Sequence, residues 1–241
     1  MLQRVIVGVI GLVAIGGGLY TLFGPGESNA DKAARIERDL LADPINGPFM
    51  AEFKQLLPAE YAAIVPPLLA RAVDDPEAAK AFDATFLQKM QAFQAEHVPA
   101  MAGAETAVLA EFAGKQRDVM QTPRLCEAML ADTPQSLDPA DVEGRKTVVA
   151  RDIALLRAVA SGRQHGIKRG EPTDEQDIAF SAQVEPKLTP AQVAALTDGS
   201  VASMSAHDRC PIVAAYWTVI AGLPSEESAN WTAFLLLSEA G

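Results

Sequence analysis

Cysteine, histidine and aromatic side chains are all scarce in this chain: two cysteines, three histidines and 6% Phe, Trp and Tyr serve 241 residues. It has no Cys-x-x-Cys pair, no His-Glu-x-x-His helix, no glycine-rich phosphate loop and no nucleophile elbow. That excludes the common enzymes whose chemistry is carried by those motifs. His97, His165 and His207 are far apart with no ligand spacing between them, so each reads as a surface or helix-end residue. No catalytic residue, metal or cofactor is assigned.

Positive charge is short as well. Twenty Lys and Arg against 31 Asp and Glu leave a formal charge of −11, and no basic block could neutralise phosphates, which excludes a nucleic-acid partner. No run combines β-branched residues with period-two alternation, so no strand is expected. Apolar residues nevertheless make up 49% of the chain, with alanine ahead of the β-branched types. Alanine costs no side-chain entropy in a helix and packs poorly on a pleated sheet, so the fold class is all-α.

One long apolar run stands out. Val5 to Phe23 carry no charge, and at ~1.5 Å per residue they reach about 28 Å, close to the hydrocarbon thickness of a bilayer. The run is read as a single N-terminal transmembrane helix, so that residues 1–26 form a signal anchor and 27–241 an extracytoplasmic, multi-helix globular domain. The alternative is a secretory signal cut near Ala30, with Gly24-Pro25-Gly26 breaking the helix before Ser28-Asn29-Ala30. The apolar core exceeds the roughly 7 to 15 residues usual for such a signal, which favours retention. Gly11, Ala14 and Gly18 fall on one face of the span at spacings of three and four, where small residues let two membrane helices approach closely.

Basic residues at 32, 35 and 38 follow the span, while only Arg4 precedes it. Counting charge alone would keep the bulk of the chain inside, but long domains cross largely regardless of charge. Cys126 and Cys210 tip the balance. An even pair in an exported domain reads as one disulfide, and the chain-entropy model makes such a bridge worth roughly 4 to 5 kcal/mol.

Beyond the span, helix signals follow in quick succession. Ser28 or Asn29 caps a helix over Ala30 to Ala42; Pro48, Pro58 and Pro66-Pro67 open others. From Pro76, one helix carries Phe82, Phe86, Met90 and Phe93 as a stripe at helical spacing, read as core, with an apolar ligand groove as the alternative. Asp138 and Pro139 open a long helix that Gly162 should end, with Val142, Val149, Ile153, Leu156 and Ala160 on its buried face. Thr173 to Gln176 and Thr189 to Gln192 match capping boxes, and Gly199 should stop the second of these helices.

Two constellations could bear chemistry. His207-Asp208-Arg209-Cys210 would favour a thiolate at a helix start, though a disulfide cysteine looks the same. The basic loop with Arg163, His165, Lys168 and Arg169 could meet an anion, a lipid headgroup or an acidic partner, and the acidic residues from Glu171 to Asp177 partly cancel it. The functional expectation is a membrane-anchored accessory or interaction subunit of an envelope assembly, periplasmic if bacterial and non-catalytic, docking on a protein partner or on its own copy. The alternatives are a helical module for a small apolar or lipid-like ligand, and an enzyme whose carboxylates meet only in the fold.

Overall fold

A computed structural model describes residues 28–131, 137–138 and 140–240, the last two of these by backbone alone. Among the described residues every regular element is helical, as the alanine-rich composition requires. The expected span over 5–23, with Gly11, Ala14 and Gly18, lies outside them, and no helix among the described residues is long and apolar enough to cross a membrane.

The chain runs through α1 (Asn29–Ala42), α2 (Gly47–Leu56), α3 (Pro58–Asp74) and α4 (Pro76–Lys80). It continues through α5 (Phe82–Ala102), α6 (Thr106–Met120), α7 (Pro123–Leu130) and α8 (Val142–His165). The last four are α9 (Asp174–Val184), α10 (Pro190–Asp198), α11 (Ala206–Gly222) and α12 (Ser225–Ala240). The longest, α8, packs against α2, α5 and α6, and α12 closes over α5 and α6. Its buried residues include Ala154, Leu155, Leu156, Ala158 and Val159. Five positions so close in sequence cover most of a helix's circumference, so α8 is surrounded rather than laid on a surface.

Local signals account for many boundaries. Ser28 Oγ accepts the Asp31 N–H and starts α1, and both expected capping boxes form, Thr173 with Gln176 and Thr189 with Gln192. Gly199 ends α10 in the left-handed region at φ 76°. The Phe82, Phe86, Met90 and Phe93 stripe is buried in the core, with Phe93 edge-on to Phe53 at 5.7 Å. Burying side chains of that size contributes roughly 2 to 3 kcal/mol each.

Several expectations are corrected. Pro66 and Pro67 do not open a helix; they lie inside α3. A proline in a helix interior forfeits a backbone bond, but Tyr61, Val65, Leu69 and Ala72 are buried at spacings of four, four and three on both sides of the pair, and that burial carries the helix through. The helix from Pro76 breaks at Ala81 into α4 and α5. The long helix starts at Val142 with Asp141 as its cap, not at Asp138, and Val142 is exposed. His97 is not at the surface but buried in α5 beside the Phe93 ring.

Gly162 does not end α8. The helix runs one turn further, to His165, and turns at Gly166 with φ 56°. Gly162 is needed for another reason: a Cβ there would lie 1.6 Å from the Ala100 carbonyl oxygen of α5. Only a residue without a side chain admits that approach.

At the other end, Cys126 of α7 and Cys210 of α11 form a disulfide with Cα atoms 5.7 Å apart, closing a loop across a sequence separation of 84. Two further links run parallel to it. Arg209 Nη2 donates to the Leu130 carbonyl at 2.7 Å, and His207 Nδ1 sits 2.7 Å from Glu127 Oε1.

Gly162→Ala should therefore lower unfolding stability by roughly 2 to 3 kcal/mol through overpacking. Gly170→Ala, whose new Cβ meets nothing within 4 Å, should change it by less than about 0.5 kcal/mol. Equal denaturation midpoints for the two variants would show that the α5–α8 approach does not need glycine.

Candidate functional site

The close approach of α8 to α5 determines where the basic segment goes. After the Gly166 turn, the Ile167 N–H donates to the Gly103 carbonyl at 2.8 Å, and Arg169 Nη1 donates to the Ala102 carbonyl at 2.9 Å. Both acceptors lie where α5 ends, so the segment satisfies carbonyls that have no intrahelical partner and places a cation at the negative end of the helix dipole.

The four basic residues proposed as one contact surface divide into two pairs. Arg163 lies in the last turn of α8, its Nη2 2.6 Å from Glu60 Oε1 and 2.6 Å from His97 Nε2. The Arg163 guanidinium holds the Glu60 carboxyl below its ordinary pKa. His165 Nε2 is 3.3 Å from Glu105 Oε2. These two residues tie α8 to α3 and to the start of α6.

Lys168 and Arg169 face elsewhere. Both line an open groove of about 540 Å³ between the loop, the end of α5 and the outer face of α12. Lys168 is exposed and has no ion-pair partner among the described residues. Arg169 is half-buried, and burial lowers its pKa from the ordinary guanidinium value while Glu226 pulls the other way. Its Nη2, shielded from solvent, makes no hydrogen bond among the described residues. The apolar side of the groove includes Phe234, Ile167 and Leu237, the last two exposed at 40% and 48%.

A second cavity of about 210 Å³ adjoins the first and shares Glu171, Phe234 and Ser238 with it. Phe180 of α9, Tyr216 of α11 and Trp231 of α12 form its inner wall, while Glu171, Asp174 and Asp177 lie on its rim. Phe180 stacks on Trp231 at 4.2 Å, and Trp231 meets Phe234 edge-on at 5.8 Å. Burial, then the nearby Asp177 and Glu185 carboxylates, raise the Tyr216 pKa above the ordinary phenol value.

Sequence reasoning missed this cavity because its walls come from helices far apart in the chain. For the larger groove a usable signal was Ile167, the one apolar residue in an otherwise polar and glycine-bearing segment. The Phe82 to Phe93 stripe lines neither opening; its four side chains lie in the core. Cys210 stands in the second turn of α11, behind the Ser205 cap, and is in the disulfide. Among the described residues no group of three or more His, Cys, Asp or Glu could hold a metal ion.

The remaining charged cluster is fully enclosed. Arg151 Nη1 donates to Asp152 Oδ1 at 2.7 Å and its Nε to Gln116 Oε1 at 2.7 Å, with the guanidinium carbon 5.8 Å from the Phe112 ring centre. Asp152 Oδ2 and Gln116 Nε2 make no hydrogen bond among the described residues. Desolvation pushes the Asp152 pKa up to about 6, against the pull of Arg151. Without access to solvent or to either cavity, this cluster is structural.

Set against known protein families, curated proteins and solved structures, the chain matches none.

Asp152 yields a pH prediction. Its carboxyl is raised in the fold above the ordinary 3.8, so the stability linked to its neutral form is fully present below about pH 4 and is lost as pH rises through about 6. Between pH 7 and pH 5 the wild-type denaturation midpoint should rise relative to that of Asp152→Asn, whose side chain does not titrate. A constant difference between the two proteins across that window would overturn the assignment.

Proposed function

We propose that this chain is a non-catalytic interaction subunit held at a membrane by residues 5–23, with its helical part on the extracytoplasmic side. The observation that carries this reading is the open groove of about 540 Å³, where Ile167 and Leu237 stand exposed beside Lys168. Among the described residues the other two exposed large apolar side chains, Val142 and Ile178, stand outside this groove, and the rest of the apolar side chains form or pack against one continuous buried core, from Ile36 to Leu236. An exposed apolar pair next to an unpaired cation suits a partner segment that offers apolar side chains and a carboxylate. A second copy of the chain suits it less, because each copy carries a charge of −11.

Retention of the anchor is supported from the start of α1. A cut after Ala30 would remove Ser28, which caps α1, and Asn29, whose amide donates to the Asp74 carboxylate. The disulfide supports an oxidising compartment. A second reading, a module that binds a small ligand, is favoured by the aromatic cavity under Trp231.

Cross-linking in mild detergent followed by mass spectrometry tests the docking face. Ile167→Asp with Leu237→Asp should abolish the partner cross-links of the wild type while leaving the melting temperature within about 2 °C, as befits exposed positions. Unchanged cross-links would remove the groove as the docking face. The same preparation reports on the anchor: the N-terminal peptide should begin at Met1 or its neighbour, and a start at Asp31 would replace the anchor with a secreted form.

A further inference from the structure

The smaller cavity has a chemistry of its own. Four aromatic side chains, Phe180, Tyr216, Trp231 and Phe234, come together there from α9, α11 and α12. Glu171, Asp174 and Asp177 line the same cavity, and none of the three carboxylates has a cationic partner among the described residues. Tyr216 is only 5% exposed, yet its hydroxyl makes no hydrogen bond among the described residues. Tyr216 lines the cavity, and its hydroxyl is not among the solvent-shielded atoms left without a partner, so the phenol oxygen opens onto that space.

The first-turn position of Asp174 and Asp177 in α9 accounts for their presence at a helix start. It does not account for the aromatic wall behind them or for Tyr216. The carboxylates are also too dispersed to share a metal ion, since no metal-holding group forms among the described residues. Dispersed negative charge over aromatic rings is complementary to a large, weakly hydrated cation, which is held by charge and ring quadrupoles without coordination. A volume of about 210 Å³ exceeds the share of a single water, roughly 30 Å³ in the liquid.

We infer that the cavity between Trp231, Tyr216 and the Asp174–Asp177 turn is a binding site for an organic ammonium group. This site adjoins the docking face proposed above and shares Glu171, Phe234 and Ser238 with it, but no residue substituted to test one lines the other, so either can fail without the other. The ammonium belongs either to a free small molecule or to the headgroup of a zwitterionic lipid. It enters past the carboxylates and rests against the ring of Trp231, with Tyr216 free to accept from an N–H or to donate to a neighbouring oxygen.

Both tryptophans, Trp217 and Trp231, are buried and only Trp231 lines the cavity, so the ligand-dependent part of the fluorescence of the full chain in detergent reads the site. Choline chloride and glycerophosphocholine should each give a saturable change at up to about 10 mM, a range that covers millimolar dissociation constants. Sodium chloride at matched ionic strength should not. Asp174→Asn with Asp177→Asn should weaken binding roughly tenfold while the melting temperature falls only by the few degrees that two carboxylates at a helix start contribute, and Tyr216→Phe should weaken glycerophosphocholine more than choline. Tighter binding of glycerophosphocholine assigns the site to a lipid headgroup, and equal or tighter binding of choline to a free cation. No saturable change with either probe, or a change indifferent to the aspartate substitutions, overturns the proposal.

Discussion

The contact between Gly162 and the Ala100 carbonyl is the constraint on which the functional end of the molecule depends. It brings the backbones of α8 and α5 closer than any side chain would allow, and Glu105 N–H donating to Ser161 Oγ at 3.0 Å reinforces it one residue earlier on α8. With α8 held there, the turn at Gly166 delivers Ile167 and Arg169 onto the last carbonyls of α5. The loop therefore has a defined path even though it contains no regular structure. Were α8 to stand off by the width of a methyl group, both hydrogen bonds to α5 would lengthen and the groove against α12 would lose one wall.

Different parts of the helical body are secured by different physics. At α7 and α11 the links are covalent and charged: the disulfide, Arg209 on the Leu130 carbonyl and His207 against Glu127. Glu127 favours the protonated form of His207, raising its pKa. Around α8 the hold comes mainly from burial, to which Arg163 and His165 add ion pairs at its end and Arg151 and Asp152 a fully enclosed pair in its middle. Neighbours in a helix normally point apart, yet Arg151 curls back to Asp152 while its other face serves Gln116 and Phe112. Such a pair costs desolvation that its own attraction only partly offsets, so its worth lies in fixing how α6 and α8 register rather than in added stability.

Where a structural feature is local, the sequence showed it. The Ser28 cap, both capping boxes and the stop at Gly199 depend on residues within four positions of one another, and each forms as read. The Phe82 to Phe93 stripe was legible for the same reason, since periodicity along one helix reports which face is buried. The disulfide was legible only because two cysteines leave a single pairing. What escaped was set by tertiary contact. Pro66 and Pro67 look like helix openers until the burial of Tyr61 and Leu69 is known, and Gly162 looks like a helix stop until α5 is placed against it. His97 carries no sign in the sequence that it will be buried against Phe93 and meet Arg163 across two helices. The candidate site needed three helices and a loop to converge, and no window of sequence contains them.

The basic segment shows how a charge run can mislead and still point to the right place. Read as a unit, Arg163, His165, Lys168 and Arg169 suggest one anion-binding patch. Folded, Arg163 and His165 are occupied by Glu60 and Glu105, which are structural partners, and only Lys168 and Arg169 remain at the groove. The acidic residues that follow do not simply cancel them, because Pro172 and the Thr173 cap turn the chain so that Asp174 and Asp177 line a different cavity. Opposite charges adjacent in sequence are thereby distributed between two openings that share Phe234 and Glu171. With Phe234 between them, each end keeps its own sign, and each suits a different one of the groups proposed above: a carboxylate-bearing segment at Lys168, an ammonium at Asp174 and Asp177.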